Sequence, residues 1–203
     1  MGRTSDAKEK LLEVAFELIY QQSYGSVSVD DMCERAGVKK GSFYYFFPSK
    51  SDLAVAAYEA HWMNSRPKYD GVFSPLVPPL ERIENYCRGI YDKQKDSYCK
   101  TGRVLGCPFA SLGCELSTQD EKIRHKAQEM FEHMCKYLEN TLRDARKEGL
   151  IPEQDFAAQS RTIFSLITGV LLQAKVKNDP EVVRDLTPAI LQLIGASAAV
   201  EAS

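Results

Sequence analysis

Cysteine is the residue type whose position in this chain suggests covalent chemistry. The sequence contains six cysteines, and Cys107 stands between Gly106 and Pro108. Proline is favoured at the first position of a helix, so this pattern predicts a helix that begins at Pro108 with Cys107 as its N-cap. Unpaired N–H groups and the positive end of the helix dipole would favour the thiolate at that position. Cys107 is therefore predicted to react with electrophiles or oxidants.

Lys175 is the second candidate for this chemistry. It lies in an otherwise apolar helical segment, so its amine is expected to be partly desolvated and able to pair with a thiolate. Two simpler interpretations stay open, namely that Lys175 only caps carbonyl groups and that Cys107 is a small buried residue. Cys107 and Cys114 would lie about 10 Å apart on one helix, too far for a disulfide. The other cysteines are predicted to be packing residues: Cys33, Cys87, Cys99 and Cys135.

The spacing of cysteine and histidine does not indicate a metal site. No CxxC pair occurs, and the three histidines are not spaced with the cysteines as zinc ligands are. A small helical thiol enzyme with Cys107 as nucleophile is an alternative, but no histidine lies near Cys107 in sequence and no cofactor motif is present. We therefore predict no catalytic residue, no metal and no cofactor.

Helical periodicity recurs along the whole chain, which predicts an all-α fold. A first helix should end before Tyr24, with Gly25 as a left-handed residue, and a second should start at a capping box of Ser28 and Asp31 and stop at Gly37. Proline and glycine predict a loop over 66–79, and Pro188 should kink or restart the last helix. The other predicted helices span 41–47, 52–64, 79–97, 107–116, 119–148, 153–177 and 180–195.

Residues 28–47 fit a helix-turn-helix, in which the second helix reads a DNA major groove. Small polar side chains at the start of that helix would let its first turn reach base edges. Five consecutive aromatic residues follow. Phe43 and Phe47 are four residues apart and are predicted to face the core, which leaves Tyr44 and Tyr45 for DNA. We predict a DNA-binding domain over 1–50 and a helical sensor and dimerisation domain over 51–203.

Residues 38–53 resemble the signature of the TetR family of bacterial regulators, in which a turn and a glycine precede aromatic positions, a Ser-Lys pair and a leucine. The resemblance implies a homodimeric repressor that binds double-stranded, pseudo-palindromic operator DNA. It also implies that Tyr44 and Lys50 contact phosphates. Further residues are implied to lie close to DNA: Lys39, Lys40, Ser42 and Tyr45. Many relatives have His or Tyr where this chain has Phe46, so that phosphate contact is not transferred.

The segment from Gly106 to Ser117 and the residues around Lys175 resemble a TetR subgroup whose repressors respond to N-ethylmaleimide and other electrophiles. This resemblance implies that Cys107 is the sensor and that its modification, or a bond to Lys175, releases the repressor from DNA. The alternative is a repressor with a purely non-covalent ligand. A pocket for such a ligand is predicted among four aromatic residues: Tyr86, Phe109, Phe131 and Phe164.

The segment 153–177 is apolar on more than one side. A small helical bundle buries only one face of each helix, so part of this apolar surface is left for another partner. This predicts a dimer interface formed by the helices around 153–177 and 180–195. The residues assigned to it are Phe164, Ile167, Val170 and Leu171.

Charge and hydropathy narrow the class of protein. The formal net charge is −2, and residues 1–50 hold seven basic and seven acidic side chains, which disfavours a non-specific DNA-packaging protein. No apolar run approaches the roughly 20 residues that span a bilayer, and the N-terminus has no apolar signal core. A cytoplasmic protein without membrane contacts is expected.

Overall fold

The computed structural model describes residues 2–196, with side chains described from residue 6. The described chain is helical throughout and divides into two compact units. The first unit combines residues up to 67 with 108–130, and the second combines 68–107 with the chain from 131 onward. The predicted division into 1–50 and 51–203 separates the chain by role and not by compactness, and it stays a prediction.

The helices are α1 (Gly2–Gln22), α2 (Val29–Ala36), α3 (Lys40–Phe46), α4 (Lys50–Val72), α5 (Pro79–Thr101), α6 (Pro108–Leu116), α7 (Glu121–Lys147), α8 (Phe156–Lys177) and α9 (Leu186–Leu193). A 3₁₀ helix, Pro180–Asp185, precedes α9. None of the described helices is long and apolar enough to cross a membrane.

The first unit has one apolar core, to which α1–α4 contribute together with α6 and the start of α7. Leu11 of α1 lies in this core together with Met32 and Phe43 of the helix-turn-helix, and all three are completely buried. Leu112 and Leu116 of α6 pack into this same core. A helix of the predicted sensor half is thereby part of the compact unit that contains the helix-turn-helix.

Two predictions for residues at helix ends are wrong. The first helix ends at Gln22 as expected, but the left-handed residue after it is Ser23, with φ 106°, and not Gly25. The last helix restarts at Leu186, so Pro188 is its third residue. Proline is tolerated there because the first N–H groups of a helix have no intrahelical partner.

The largest difference concerns α4, which continues through Pro67 to Val72 where a loop over 66–79 was predicted. An internal proline costs about 3 kcal/mol, and aromatic side chains beyond it, Tyr69 and Phe73, pack in the second unit. The ring of Phe73 lies 5.1 Å from that of Tyr86 and 5.0 Å from that of Tyr137. These contacts hold the chain after Pro67 in the second unit.

A buried ion pair joins α5 and α7 in the second unit. Arg82 is almost completely buried and donates to Asp144 at 2.8 Å and to the carbonyl oxygen of Val77 at 2.7 Å. The hydrogen bond from Arg82, and a second from Lys147, lower the pKa of Asp144 from its ordinary value. The pair therefore links the stability of this unit to pH.

We expect Asp144→Asn to lower the free energy of unfolding at pH 7 by about 2 kcal/mol, less than for a fully enclosed pair because Asp144 is partly exposed. Because the pKa of Asp144 is depressed in the folded state, its contribution is complete above the unfolded value of about 4 and is lost as the pH falls below it. Urea titrations at pH 7 and pH 3 would measure this. Lys147→Ala is the control, since it removes only the exposed partner. A difference between parent and Asp144→Asn that persists unchanged at pH 3 would contradict the assignment.

Candidate DNA interface and sensor segment

Local hydrogen bonds define both ends of the first helix of the helix-turn-helix. The Ser28 hydroxyl accepts from the Asp31 backbone N–H at 3.1 Å, and the Asp31 carboxylate accepts from the Ser28 N–H at 2.7 Å. At the other end Gly37 takes the left-handed conformation with φ 65°. The predicted capping box and stop are therefore confirmed, and the turn before α3 follows directly from them.

The aromatic run of α3 divides as predicted. Phe43 and Phe47 are buried, whereas the side chains of Tyr44 and Tyr45 are 55% and 77% exposed. Ser42, at the start of the helix, is half-buried. The exposed face of α3 thus offers two phenol groups and a hydroxyl to a partner.

The three lysines near α3 differ in their surroundings. Lys39 and Lys40 are exposed, and Lys40 forms an ion pair with Asp30 at 2.7 Å, which raises the pKa of Lys40. Lys50 is half-buried and donates to the carbonyl oxygen of Tyr24, with its nitrogen 3.9 Å from the centre of the Tyr24 ring. Desolvation lowers the pKa of Lys50 despite nearby carboxylates. Lys50 therefore has a structural role in addition to its predicted phosphate contact.

The segment before α6 is held by two side-chain amides of the second unit. The amide of Gln94 accepts from the Gly106 N–H at 2.9 Å and donates to the Gly106 carbonyl oxygen at 3.2 Å. Asn178 likewise accepts from the N–H of Val104 and donates to the carbonyl oxygen of Gly102, both at 2.9 Å. These bonds fix the backbone immediately before Cys107.

Gly106 also allows a close approach to α8. It has φ 75°, and a Cβ added there would meet the side chain of Lys175 and the carbonyl oxygen of Leu171 at 3.4 Å. The structure thus places Lys175 beside the residue that precedes Cys107. Lys175 is exposed, however, so the expectation of a partly desolvated amine is wrong. It lies in the last turn of α8, where the helix meets solvent.

Cys107 is half-buried, and α6 begins at the next residue, as predicted. Desolvation lowers the pKa of Lys93, and interaction with Cys107 opposes that shift. Burial raises the pKa of Tyr69, and the charge of Cys107 raises it further. An ammonium group within electrostatic range would stabilise a thiolate at Cys107.

The remaining cysteines fall into two groups. Burial raises the pKa of Cys87 to about 11 and also raises the pKa values of Cys33 and Cys135, which keeps these thiols protonated near neutral pH. Cys99 and Cys114 are exposed, so the prediction that Cys99 is a packing residue is wrong. Within residues 2–196 no group of three His, Cys, Asp or Glu side chains could hold a metal ion.

The four residues of the predicted ligand pocket lie in different surroundings. Phe109 is in the first unit, with its ring 5.5 Å from that of Tyr58. Phe131 and Phe164 pack on each other in the second unit, with ring centres 5.1 Å apart. Tyr86 is buried in the same unit beside Phe73 and Tyr69. The structure brings only Phe131 and Phe164 into direct ring contact, and the pocket stays a prediction.

Three of the four residues assigned to the dimer interface are buried within the single chain, namely Phe164, Ile167 and Leu171. They can contribute little to a contact between subunits, because their own core already covers them. Val170 is partly accessible. On the exposed side of α8, Leu172 and Val176 are 60% and 78% exposed, and these apolar residues are the better candidates.

Sequence reasoning missed Gln94, Lys93 and Glu115. Glu115 accepts from the backbone N–H groups of Tyr24 at 3.0 Å and Gly25 at 2.6 Å. Each of the three is an ordinary polar residue in a helix, and its partner lies at least 12 positions away in sequence. Of the three, only Gln94 could have been noticed in the sequence, because a polar residue on the apolar face of α5 indicates a buried side chain that forms hydrogen bonds.

Comparison with known proteins assigns the family. Residues 11–57 match the profile described as "Bacterial regulatory proteins, tetR family", and residues 79–190 match "Tetracyclin repressor-like, C-terminal domain". The chain is 31% identical over 179 residues to an uncharacterized HTH-type transcriptional regulator of Lactococcus lactis, covering 86% of each protein. It is 25% identical over 185 residues to the HTH-type transcriptional repressor NemR of Escherichia coli, covering 87% of each.

Solved structures show the same fold. The crystal structure of E. coli NemR in its reduced form superposes with a TM-score of 0.81 at 24% identity, over 93% of this chain and 97% of that one. A regulatory protein TetR from Rhodobacter sphaeroides superposes equally well, with a TM-score of 0.81. The helix-turn-helix, the all-helical C-terminal part and both family matches agree, and the chain belongs to the TetR family of bacterial transcriptional regulators.

Proposed function

We propose that this regulator is a homodimeric repressor that leaves its operator when Cys107 reacts with an electrophile or an oxidant. One observation carries the proposal. Cys107 follows a backbone segment that Gln94 and Asn178 hold in place, and it directly precedes the first residue of α6. A group added to its sulfur must be accommodated at the start of a helix that packs into the same core as the helix-turn-helix.

The chemistry requires only the thiolate and the electrophile. With N-ethylmaleimide, the sulfur adds to the C=C bond, a carbon–sulfur bond forms, and water protonates the resulting carbanion. With a peroxide, the thiolate sulfur attacks one oxygen, the O–O bond breaks, and the other oxygen leaves as hydroxide or alkoxide, so the sulfur becomes a sulfenic acid and the peroxide is reduced. Condensation of that acid with the amine of Lys175 would form a sulfur–nitrogen bond and release water. Lys93 supports the first step because its positive charge favours the thiolate.

The exposed face of α3 supports operator binding. Ser42, Tyr44 and Tyr45 are on the helix that would enter the major groove, while Lys39 and Lys40 flank its start. Phosphate contacts position such a domain, and contacts to base edges specify the sequence. We therefore assign readout to Ser42 and Tyr45 and positioning to Lys39, Lys40, Tyr44 and Lys50.

We expect Lys39→Ala to weaken binding to operator and unrelated DNA alike, by about tenfold near 0.1 M salt, and to reduce the slope of log K against log salt by about one. Ser42→Ala and Tyr45→Ala should instead reduce the ratio of operator to unrelated-DNA affinity, by roughly 1–3 kcal/mol. Fluorescence anisotropy at three salt concentrations would measure both quantities. Equal losses of discrimination for all three variants would show that positioning and readout are wrongly divided.

The function itself is tested with DNA that flanks the gene of this protein. The parent protein should bind one such fragment well above scrambled DNA of equal length and should release it after treatment with N-ethylmaleimide, with no change in its helical circular dichroism. Release by small apolar compounds but not by thiol reagents would favour the alternative of a non-covalent ligand. Equal affinity for flanking and scrambled DNA would refute operator recognition.

A further inference from the structure

A carboxylate from α6 completes the turn between α1 and α2. The two oxygens of Glu115 accept from the backbone N–H groups of Tyr24 at 3.0 Å and Gly25 at 2.6 Å. Hydrogen bonds from amides to an ionised carboxylate are stronger than those between neutral groups. Since Tyr24 and Gly25 follow the end of α1 and precede the cap of α2, Glu115 fixes the entry to the helix-turn-helix.

The same turn holds Lys50. Its ammonium group donates to the carbonyl oxygen of Tyr24 and lies over the Tyr24 ring, so the position of Tyr24 determines where Lys50 lies. Gly25 leaves room for this contact, because a Cβ there would come within 3.2 Å of Glu115 Oε1 and the carboxylate would have to shift by a few tenths of an ångström. One carboxylate therefore orders a turn and, through it, a basic side chain assigned to phosphate.

The helix that carries Glu115 is short and tightly packed. It has nine residues, so it is about 13 Å long. Gly113 lies close to α7, where an added Cβ would be 3.1 Å from the Cβ of Ala127, and Leu112 and Leu116 are buried. A helix held in this way moves as one body, and Glu115 lies at the end opposite Pro108.

We propose that Glu115 is a positioning residue for operator binding, which ties the α1–α2 turn and Lys50 to α6 so that the affinity for DNA depends on where α6 lies. The inference rests on the proposed operator binding. It names a route from the sensor segment to DNA in which α6 acts on the start of the helix-turn-helix.

The sign of the effect of Glu115→Gln separates this role from simple electrostatics. Loss of a negative charge from a DNA-binding unit would by itself strengthen binding to DNA. The glutamine keeps one acceptor oxygen but presents an amino group to the other backbone N–H, so the turn loses at least one hydrogen bond. We expect operator affinity to fall about tenfold, which is 1.4 kcal/mol, and the slope of log K against log salt to fall by no more than about one, because Lys50 is the one phosphate contact that depends on this turn.

The matched control is Glu17→Gln, which removes the same charge from the exposed face of α1 in the same unit. It should bind the operator fragment as tightly as the parent or slightly more tightly. Hydrogen–deuterium exchange of the peptide 20–28 provides an independent measurement. Exchange at Tyr24 and Gly25 should be several-fold faster in Glu115→Gln and unchanged in Glu17→Gln.

Gly25→Ala tests the same contact if Glu115→Gln folds poorly. The added methyl group should displace the carboxylate and lower operator affinity about threefold. The double variant should bind no more weakly than Glu115→Gln alone, since both changes break one contact. Full additivity in the double variant would show that the two residues act independently.

The inference is supported by weaker operator binding together with faster exchange of the turn, and any other combination for Glu115→Gln overturns it. The proposed function is judged separately on the parent protein. If the parent binds its operator and is not released by N-ethylmaleimide, Cys107 sensing is refuted. The role of Glu115 is then still decided by the affinity and exchange measurements. A parent that does not distinguish operator from scrambled DNA refutes operator recognition and this inference with it.

Discussion

Replacing Cys107 by serine should leave operator affinity within about twofold of the parent and abolish release by N-ethylmaleimide. Serine keeps the size and the capping ability of residue 107 but cannot be alkylated at neutral pH. The adduct in the parent must favour the non-binding arrangement by about 2.7 kcal/mol to lower operator affinity 100-fold. The serine variant should show none of this 100-fold loss of operator affinity. Anisotropy titrations before and after treatment with N-ethylmaleimide would measure the difference.

Cys99→Ser and Cys114→Ser are the controls, because these two thiols are exposed and should also be alkylated. Both variants should still be released like the parent. If Cys107→Ser is released as readily as the parent, the signal is received at another residue. The search would then turn to a non-covalent site beside Tyr86 or around the Phe131–Phe164 pair.

We propose that release of this kind occurs through a small rotation of each subunit. Two recognition helices must reach major grooves about 34–36 Å apart, or a multiple of that distance. Helix α4 contributes residues to both units, and we propose it as a second route by which a change at the sensor segment reaches the helix-turn-helix. The α4 route and the Glu115 contact are separable, because only the second depends on the carboxylate of residue 115.

The second large effect should follow from a charge on the exposed face of α8. Leu172→Glu would lose about 2 kcal/mol of apolar burial in each subunit and place two like charges in the interface. We expect the dimer dissociation constant to rise at least 1,000-fold, which corresponds to about 4 kcal/mol. Sedimentation velocity at low micromolar concentration should then show monomers. Operator affinity should also fall, because the dimer is lost.

Leu76→Glu is the matched control, since Leu76 is 93% exposed in the loop between α4 and α5. It should remain dimeric, as the same substitution there meets only water. Ile167→Glu would not test the interface, because Ile167 is buried in its own subunit and a charge there would unfold the chain. A dimeric Leu172→Glu protein would place the interface elsewhere.

The sequence by itself determined those features that depend on near neighbours in the chain. Helical periodicity predicted the all-α fold, and the spacing of Ser28, Asp31 and Gly37 located α2 to the residue. The four-residue spacing of Phe43 and Phe47 separated the core side of α3 from its outer side. Pro108 likewise marked the start of α6. Caps, turns and amphipathic faces involve atoms within one or two helical turns, so residue order is sufficient to predict them.

Tertiary structure alone decided what depends on partners far along the chain. Helix α4 continues through Pro67, and Tyr69 within it and Phe73 directly after it pack on Tyr86 and Tyr137, which are distant in sequence. The apolar excess of α8 was visible in the sequence, but which of its sides the subunit buries depends on how its other helices pack. The bonds from Gln94 to Gly106 and from Glu115 to the α1–α2 turn join residues 12 to 91 positions apart. Their energy comes from complementary groups brought together by folding, and the spacing of residues in a sequence does not encode it.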